Sequence, residues 1–442
     1  MPIARRQLLR GIGAGGLAAG LSLLPGCGSE RSGGPTTLRW WSPQSAPEQV
    51  ASYREQISAF EGRNPNVRIV FEPTSDEGYP TQFAAAFAAG QMPDLVTHLP
   101  SFAAQNYYDR GLIEPMDDVV AAIGADQFFP GALAPFRAAD GHYCAVGIGS
   151  TAVDMLWYRQ DLLQLAGIDH APRTWDELRT ACARVQRRGL YGTALPYGMN
   201  SMTSLIFVSI IHQAGGQVFT PDLDVAIDTP PTYAALDFYR GMREFCPPGA
   251  TIFSWGDCLT AFVSGASATG IYSGRVLANV AAQNPRIADV IDCVAYPTLS
   301  RAIPSWTFND FPSLFIPKGS RNPALAKAFA ISLFSPDIYT AQLRATPGHI
   351  LPTLKGIVDD PVYLADPLIG KYQREIAMMA KHAANGHNLG MESPTHHPNL
   401  RAGEIIASNC IAELVQRVVL EGEPPRQAVG RAADTLERLM SA

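Results

Sequence analysis

Residues 37–71 read TLRWWSPQSAPEQVASYREQISAFEGRNPNVRIVF, and this stretch decides the fold. Thr37 to Trp41 is a short strand candidate, rich in aromatic and β-branched residues. Ser45 and Glu48 stand three apart with Pro47 between them, the pattern of a capping box opening a helix. Val50, Tyr53, Ile57 and Phe60 then recur at helical spacing, and Gly62 with Pro65 stops them. Val67 to Phe71 is the next strand. Strand, helix and strand in so short a span predict a right-handed βαβ unit with parallel strands.

The same grammar continues on either side. Phe83 to Ala89 reads as helix, and Pro93 leads into a strand from Asp94 to Thr97. Ala152 to Tyr158 is a further strand. Thr174 and Glu177 form a second capping box, with its helix stopping at Gly189. Asn322-Pro323 opens a helix with Leu325 and Phe329 on one face, and a last long helix runs from about Pro424 to the end. Alternating strands and helices predict an α/β fold with a mostly parallel sheet. No internal repeat is visible.

The first 27 residues have a different character. Arg5-Arg6, followed by Gln7-Leu8-Leu9-Arg10, looks like a twin-arginine export signal. An apolar run from Gly11 to Leu24 is shorter than the roughly 20 residues of a spanning helix. Leu24-Pro25-Gly26-Cys27 resembles the lipobox of bacterial lipoproteins, in which the cysteine is lipidated after cleavage. Pro25 is uncommon at its place, and Ala4 stands where Ser or Thr is usual. Residues 1–27 are therefore predicted to be a lipoprotein signal, Cys27 the lipidation site, and the Gly- and Ser-rich 28–37 a flexible tether. The product is expected to be exported and lipid-anchored to the outer face of the bacterial cytoplasmic membrane. Gly11-Ile12-Gly13-Ala14-Gly15-Gly16 fits a dinucleotide-binding pattern, but it lies inside a removed segment and carries no such meaning.

The 442 residues, 47% of them hydrophobic, suffice for two domains. The formal charge is −6, and it falls further once the three signal arginines are removed. That balance argues against nucleic acid as a partner. Beyond Cys27 there are Cys144, Cys182, Cys246, Cys258, Cys293 and Cys410. An even number in an exported chain permits disulfides, but the spacing gives no pairing. No C-x-x-C occurs, and His387, His396 and His397 lack metal-ligand spacing, so neither a metal nor a cofactor is expected.

Several segments together carry a family resemblance over essentially the whole mature chain. They are Leu38 to Ser42 with Phe60 to Pro65; Gly90-Gln91-Met92-Pro93-Asp94-Leu95-Val96; Gly111-Leu112-Ile113-Glu114-Pro115; Leu156 to Leu162 with Ala166-Gly167; Thr174 to Leu178; Ala261 to Ala266 with Gly270 to Gly274; and Phe315 to Ser320. In order and spacing they are similar to extracellular solute-binding proteins of the maltose-binding class, the receptors of ABC sugar importers. The resemblance implies a two-lobed periplasmic-binding-protein-like fold with discontinuous lobes joined by hinge strands. It puts crossings near Gly149, Pro297 and Ser335, hence one lobe at 38–149 plus 298–335 and the other at 150–297 plus 336–442. It implies a monomer that holds a carbohydrate in the inter-lobe cleft and passes it to permease subunits.

A sugar offers apolar C–H faces and a rim of hydroxyls, so its site needs aromatic platforms and planar polar partners. Candidates are residues just past strand ends or on crossover strands. Trp41, Ser42 and Gln44 follow the first strand, Trp41 being equally a core residue. His98 and Ser101 follow the Asp94 strand. Asp154, amid apolar neighbours, is a ligand contact or a backbone brace. Asn200 and Ser201, then Tyr272, Ser273, Gly274 and Arg275, fall where the resemblance puts second-lobe contacts. Trp306, Asn309 and Asp310 form a polar–aromatic loop, and Arg344 and His349 are weaker candidates. Trp40 and Trp175 read as packing, and Asp94 as a loop brace. No motif isolates a catalytic pair of carboxylates, so a receptor is preferred to an exported glycoside hydrolase or a cofactor-bearing redox protein. Amino sugars, glycerophosphodiesters and sugar phosphates remain open as ligands.

Overall fold

The computed structural model of the chain describes residues 34–74 and 78–441. The signal and Cys27 lie outside the described residues, as does most of the tether. No helix of the described residues is long and apolar enough to cross a membrane.

Among the described residues, eight strands build two main sheets and two more form a separate pair. The larger contains β1 (Thr36–Ser42), β2 (Val67–Pro73), β3 (Leu95–Leu99), β4 (Val146–Gly147) and β10 (Ser313–Phe315), in the order β2-β1-β3-β10-β4. The smaller has β6 (Met155–Arg159) between β7 (Thr269–Tyr272) and β8 (Ile291–Ala295). β5 (Thr151–Ala152) and β9 (Asn309–Asp310) pair separately. The opening βαβ unit forms as predicted, with β1 and β2 parallel from Thr36↔Val67 to Ser42↔Pro73. Pairing at Thr36 shortens the predicted tether, because Thr36 and Thr37 already belong to the strand.

Other expectations need correction. The mostly parallel sheet is confined to β1, β2 and β3; β10 runs antiparallel to β3 and β4, and the smaller sheet is antiparallel throughout. β10 reaches the larger sheet from the opposite lobe, which reverses its direction. The first helix, Pro47–Arg63, takes Ala46 as N-cap with no side-chain bond, so Ser45 lies one residue too early to cap it. Thr174 does cap helix Trp175–Val185, accepting from the Glu177 N–H at 3.3 Å. That helix stops at Val185, before Gly189, which sits in a left-handed turn at φ 81°. The predicted strand from Ala152 to Tyr158 is two strands, broken at Val153-Asp154 where the chain leaves the hinge for the smaller sheet.

Both tryptophans of β1 are buried. The Trp40 indole N–H donates to Thr97 Oγ1 at 2.9 Å, and its ring packs on Tyr53, Phe71 and Phe329. Trp175 stacks on Phe238 at 4.3 Å and donates to the Pro297 carbonyl. Asp94 accepts from the Arg39 N–H, Ser320 Oγ and the Arg321 N–H, bracing a loop as expected.

Between the sheets, four chain segments lie side by side. Ser150 and Leu351 exchange backbone bonds at 3.0 and 2.8 Å. Thr151 pairs with Asp310, Ala152 with Asn309, and Phe308 bridges His387. Asn309 locks this ribbon. Its Oδ1 accepts from the Thr151 N–H at 2.9 Å, and its Nδ2 donates to the Ala383 carbonyl at 2.6 Å. Asn388 then donates to Ser101 Oγ and the Asn309 carbonyl. Short paired segments of this kind let a few residues absorb a hinge rotation while each lobe stays rigid.

Near Gly149 the chain passes from β4, at the edge of the larger sheet, into the 150–152 segment of the ribbon. Residues 298–307 stay with the smaller sheet: Thr298 bridges Thr174, and the Leu299 N–H donates to the Gln213 carbonyl. Asn309 and Asp310 then lie in the ribbon, and Ser313–Phe315 pairs in the larger sheet. Helix Pro336–Ala345 packs on helix Pro47–Arg63, and the Thr353 hydroxyl donates to the Gly147 carbonyl of β4. Further along, the Tyr372 hydroxyl donates to the Ala288 carbonyl. Pairing partners far apart in sequence set these positions, and no local signal marks them.

Candidate functional site

The strands of the two sheets end toward one polar cluster. From the larger sheet come Ser42, at the end of β1, and His98, near the end of β3. The His98 imidazole Nδ1 lies 2.9 Å from Thr97 Oγ1 and 3.3 Å from Ser42 Oγ, and Nε2 lies 3.4 Å from Gln342 Nε2. A Gln342 amide donating to Nε2 leaves the proton on Nδ1, for donation to a hydroxyl. His98 has a φ of 65°, a left-handed conformation rare outside glycine. Such strain persists where the surroundings over-determine the residue, and it concentrates at functional sites. Burial pushes its imidazole down to about 3, so the ring is neutral at physiological pH. The cavity beside it, lined by Tyr53, Gln342, Thr346 and Ile350, holds only about 10 Å³, too little for a sugar ring.

From the smaller sheet come Tyr272, Ser273, Gly274 and Arg275, where β7 runs into helix Arg275–Gln283. Ser273 Oγ lies 3.3 Å from His349 Nδ1 and accepts from the Arg275 N–H at 3.4 Å. Burial pushes His349 down to about 3, and the neighbouring Arg275 and His98 act in the same direction. His349 thus bonds Ser273 directly and lies within electrostatic reach of both Arg275 and His98. A Cβ on Gly274 would lie 1.9 Å from the Gly348 carbonyl oxygen, so only glycine lets the two segments touch. Tyr272 is held by backbone pairing, and burial raises its phenol to about 12. Its ring meets that of half-buried Trp255 edge-on at 5.8 Å. Arg275 is half-buried and forms no ion pair among the described residues.

Trp306 belongs to a second cluster. It is partly exposed, stacks on His212 at 4.1 Å with planes 3° apart, and donates from Nε1 to the Glu392 carbonyl. The buried Glu392 carboxylate accepts from the N–H groups of Val218 and Phe219, both at 2.8 Å, and lies 2.5 Å from His212 Nε2. One face of Trp306 is therefore covered by an oriented imidazole, and the rings of Phe308 and His387 lie 6.0 and 6.5 Å from the indole.

The remaining candidates have structural partners. Trp41 is buried, its N–H donating to Glu72 at 2.6 Å, and Glu72 is in turn paired with Arg39. Gln44 accepts from Gln49. Ser101, Asn309 and Asp310 belong to the hinge ribbon. Asn200 caps helix Ser201–Gln213 through the Thr203 N–H and donates to the Phe253 carbonyl, while Ser201 lies in the first turn of that helix. Asp154 is buried in the smaller lobe, held by Ser209 Oγ and, at 3.2 Å, by Gln213 Nε2; burial raises its carboxyl to about 7. All six cysteines of the described residues are buried and free, so the disulfides that their even number permitted do not form. Sequence reasoning missed Gln342, His212 and Glu392, which carry no local signal. It also missed Trp255, whose signal was the Phe253-Ser254-Trp255 aromatic pair before a helix.

Comparison with known proteins gives a consistent result. Residues 45–339 match the profile described as bacterial extracellular solute-binding protein. An Escherichia coli K12 protein named as an ABC transporter periplasmic-binding protein, YcjN, is 23% identical over 76% of this chain and 77% of its own. The maltose-bound MalE3 of T. maritima superposes with a TM-score of 0.76 at 21% identity, over 91% of this chain and 100% of that one. A solute-binding protein of Thermotoga lettingae TMO, bound to α-D-tagatose, gives a TM-score of 0.75 at 22% identity, over 92% and 100%. These likenesses show the two-lobed fold.

Proposed function

Because the chain belongs to the bacterial extracellular solute-binding proteins, we propose that it captures a carbohydrate between its lobes and delivers it to the permease subunits of an ABC importer. The observation that carries this reading is the polar cluster shared by the two lobes, with Ser42 and His98 on one side, Ser273 and Arg275 on the other, and the paired hinge beneath. A ligand that bonds to both walls adds affinity only to the closed form, and so shifts the hinge equilibrium toward it. The permease can then distinguish loaded from empty receptor by shape. Neutral imidazoles, hydroxyls and amides suit hydroxyl-rich ligands, and Trp306 with Tyr272 and Trp255 supplies apolar faces. The sugars bound by the T. maritima and T. lettingae proteins agree with this choice.

In this reading the protein is a monomeric binder without catalysis. Residues 1–27 direct export, the lipid on Cys27 holds it at the outer face of the cytoplasmic membrane, and Arg5-Arg6 selects the twin-arginine route. The larger lobe takes 36–149, 311–366 and the smaller 152–308, 372–388, with the C-terminal helices against it. A second reading, a sugar phosphate or glycerophosphodiester, is favoured by Arg275, a cation without an ion pair at the cluster.

Thermal unfolding against a panel of neutral sugars, amino sugars and sugar phosphates tests the proposal. A ligand present at 100 times its Kd stabilises by about 2.7 kcal/mol. Saturable stabilisation without turnover of the ligand is expected for one class. No shift with any member, together with scattering profiles unchanged by all of them, would remove the carbohydrate reading.

A further inference from the structure

The six cysteines raise a question that solute binding does not answer. Cys144, Cys182, Cys246, Cys258, Cys293 and Cys410 are all buried and unpaired. Four lie in the smaller lobe, on helix Trp175–Val185, after the turn Arg243–Phe245, on helix Trp255–Val263 and on β8. Cys182 and Cys246 flank one extended segment. A Cβ on Gly192 would lie 2.6 Å from Cys182 Cβ, and the next residue, Thr193, donates its N–H to the carbonyl of Phe245, beside Cys246. Each thiol has another neighbour, Thr269 Oγ1 at 3.9 Å for Cys182 and the Met242 carbonyl at 3.5 Å for Cys246. The native core therefore seats each of these two thiols against its own polar neighbour and leaves both unpaired.

An unfolded chain has no such restraint. Cys246 and Cys258 are close in sequence, and closing short loops costs little entropy. On the outer side of the membrane, disulfide-bearing oxidants act on any exposed thiol. A thiolate attacks the oxidant's disulfide, and a second cysteine then displaces the mixed disulfide. The chain loses two electrons and two protons, and the oxidant leaves as two thiols. A bridge made in this way before folding would link residues that the native core leaves unpaired, and disulfide geometry tolerates little misplacement.

We infer that this chain completes its fold with all six core thiols reduced before it crosses the membrane, and that the Arg5-Arg6 signal serves to keep oxidation out of the folding reaction. The inference rests on the export reading above and is independent of the ligand. Once folded, the thiols are protected by their surroundings. Burial raises Cys246 to about 12 and moves Cys144, Cys182, Cys258, Cys293 and Cys410 upward as well, and the thiolate is the reactive form.

The test compares the full chain exported behind its own signal with the same chain behind a general secretory signal, which threads unfolded protein. Thiols are counted by alkylation and mass spectrometry, without reductant, in native and denatured protein. Behind its own signal, none of the six reacts when native and all six react when denatured. Behind the secretory signal, fewer than six react on denaturation and the cooperative melt is lost, and the Cys182→Ala/Cys246→Ala/Cys258→Ala variant recovers the melt. Six free thiols and an unchanged melt by both routes would overturn the inference while leaving twin-arginine export intact. Export of the Arg5→Lys/Arg6→Lys variant with all six thiols free would overturn both.

Discussion

Replacing Asp154 with asparagine should stabilise this protein, increasingly so as pH rises. The carboxyl is 1% exposed and is held by Ser209 and Gln213, with no cation in its bonding shell. Burial raises it from 3.8 to about 7. Below the lower value the acid is neutral in both folded and unfolded chains, and it exerts no pH-dependent cost. Between the two values the folded chain keeps a proton that the unfolded chain has released, so stability falls as pH rises. Above the folded value the full cost applies. At about 1.36 kcal/mol per unit the total is roughly 4 kcal/mol, of which about 3 kcal/mol develops between pH 5 and pH 8. An unfolding entropy of about 2.1 cal/mol/K per residue over about 400 residues converts this to about 3 °C. Asparagine keeps an acceptor for Ser209 and Gln213 and cannot ionise. The assay is thermal unfolding of both proteins from pH 5 to pH 8. The advantage of Asp154→Asn should widen by about 3 °C over that range. His98 and His349, held near 3 when folded, destabilise the folded chain as pH falls below about 6.5. They do so equally in both proteins and cancel in the difference. Parallel melting profiles would show that the carboxylate is solvated, and the reasoning from burial would fail.

Other outcomes are open to direct measurement. Gly274→Ala places a methyl group against the Gly348 carbonyl and should cost about 1–3 kcal/mol in urea unfolding; an unchanged midpoint would mean that the two segments part freely. Asn309→Ala leaves the Thr151 N–H and the Ala383 carbonyl without their partner and should cost about 2 kcal/mol, and a loss below a few tenths of that would deny Asn309 its place as the hinge lock. Trp306→Ala should weaken sugar binding at least tenfold by calorimetry, about 1.4 kcal/mol, with the fold retained; equal affinity would take Trp306 out of the site. Cys27→Ala should move the protein from the membrane fraction to the soluble one, and retention in the membrane fraction would contradict lipid anchoring.

Local patterns set the opening βαβ unit, the Thr174 cap and the packing roles of Trp40 and Trp175, because propensity, spacing and burial there depend on neighbours within a turn or two. The order of such pieces along the chain was enough to mark the family and its two-lobed architecture. Even local rules slipped where chemistry was degenerate, as when Ala46 rather than Ser45 took the cap position. The meeting of Ser42 and His98 with His349, Ser273 and Arg275 was decided only by the tertiary structure, since it depends on hinge segments that pair across long sequence separations. The same holds for Asp154. Sequence marked it as a carboxylate in need of partners, but those partners, Ser209 and Gln213, sit on a helix whose approach is fixed by packing. Long-range packing likewise buried six cysteines unpaired, an outcome that their number and spacing could not reveal.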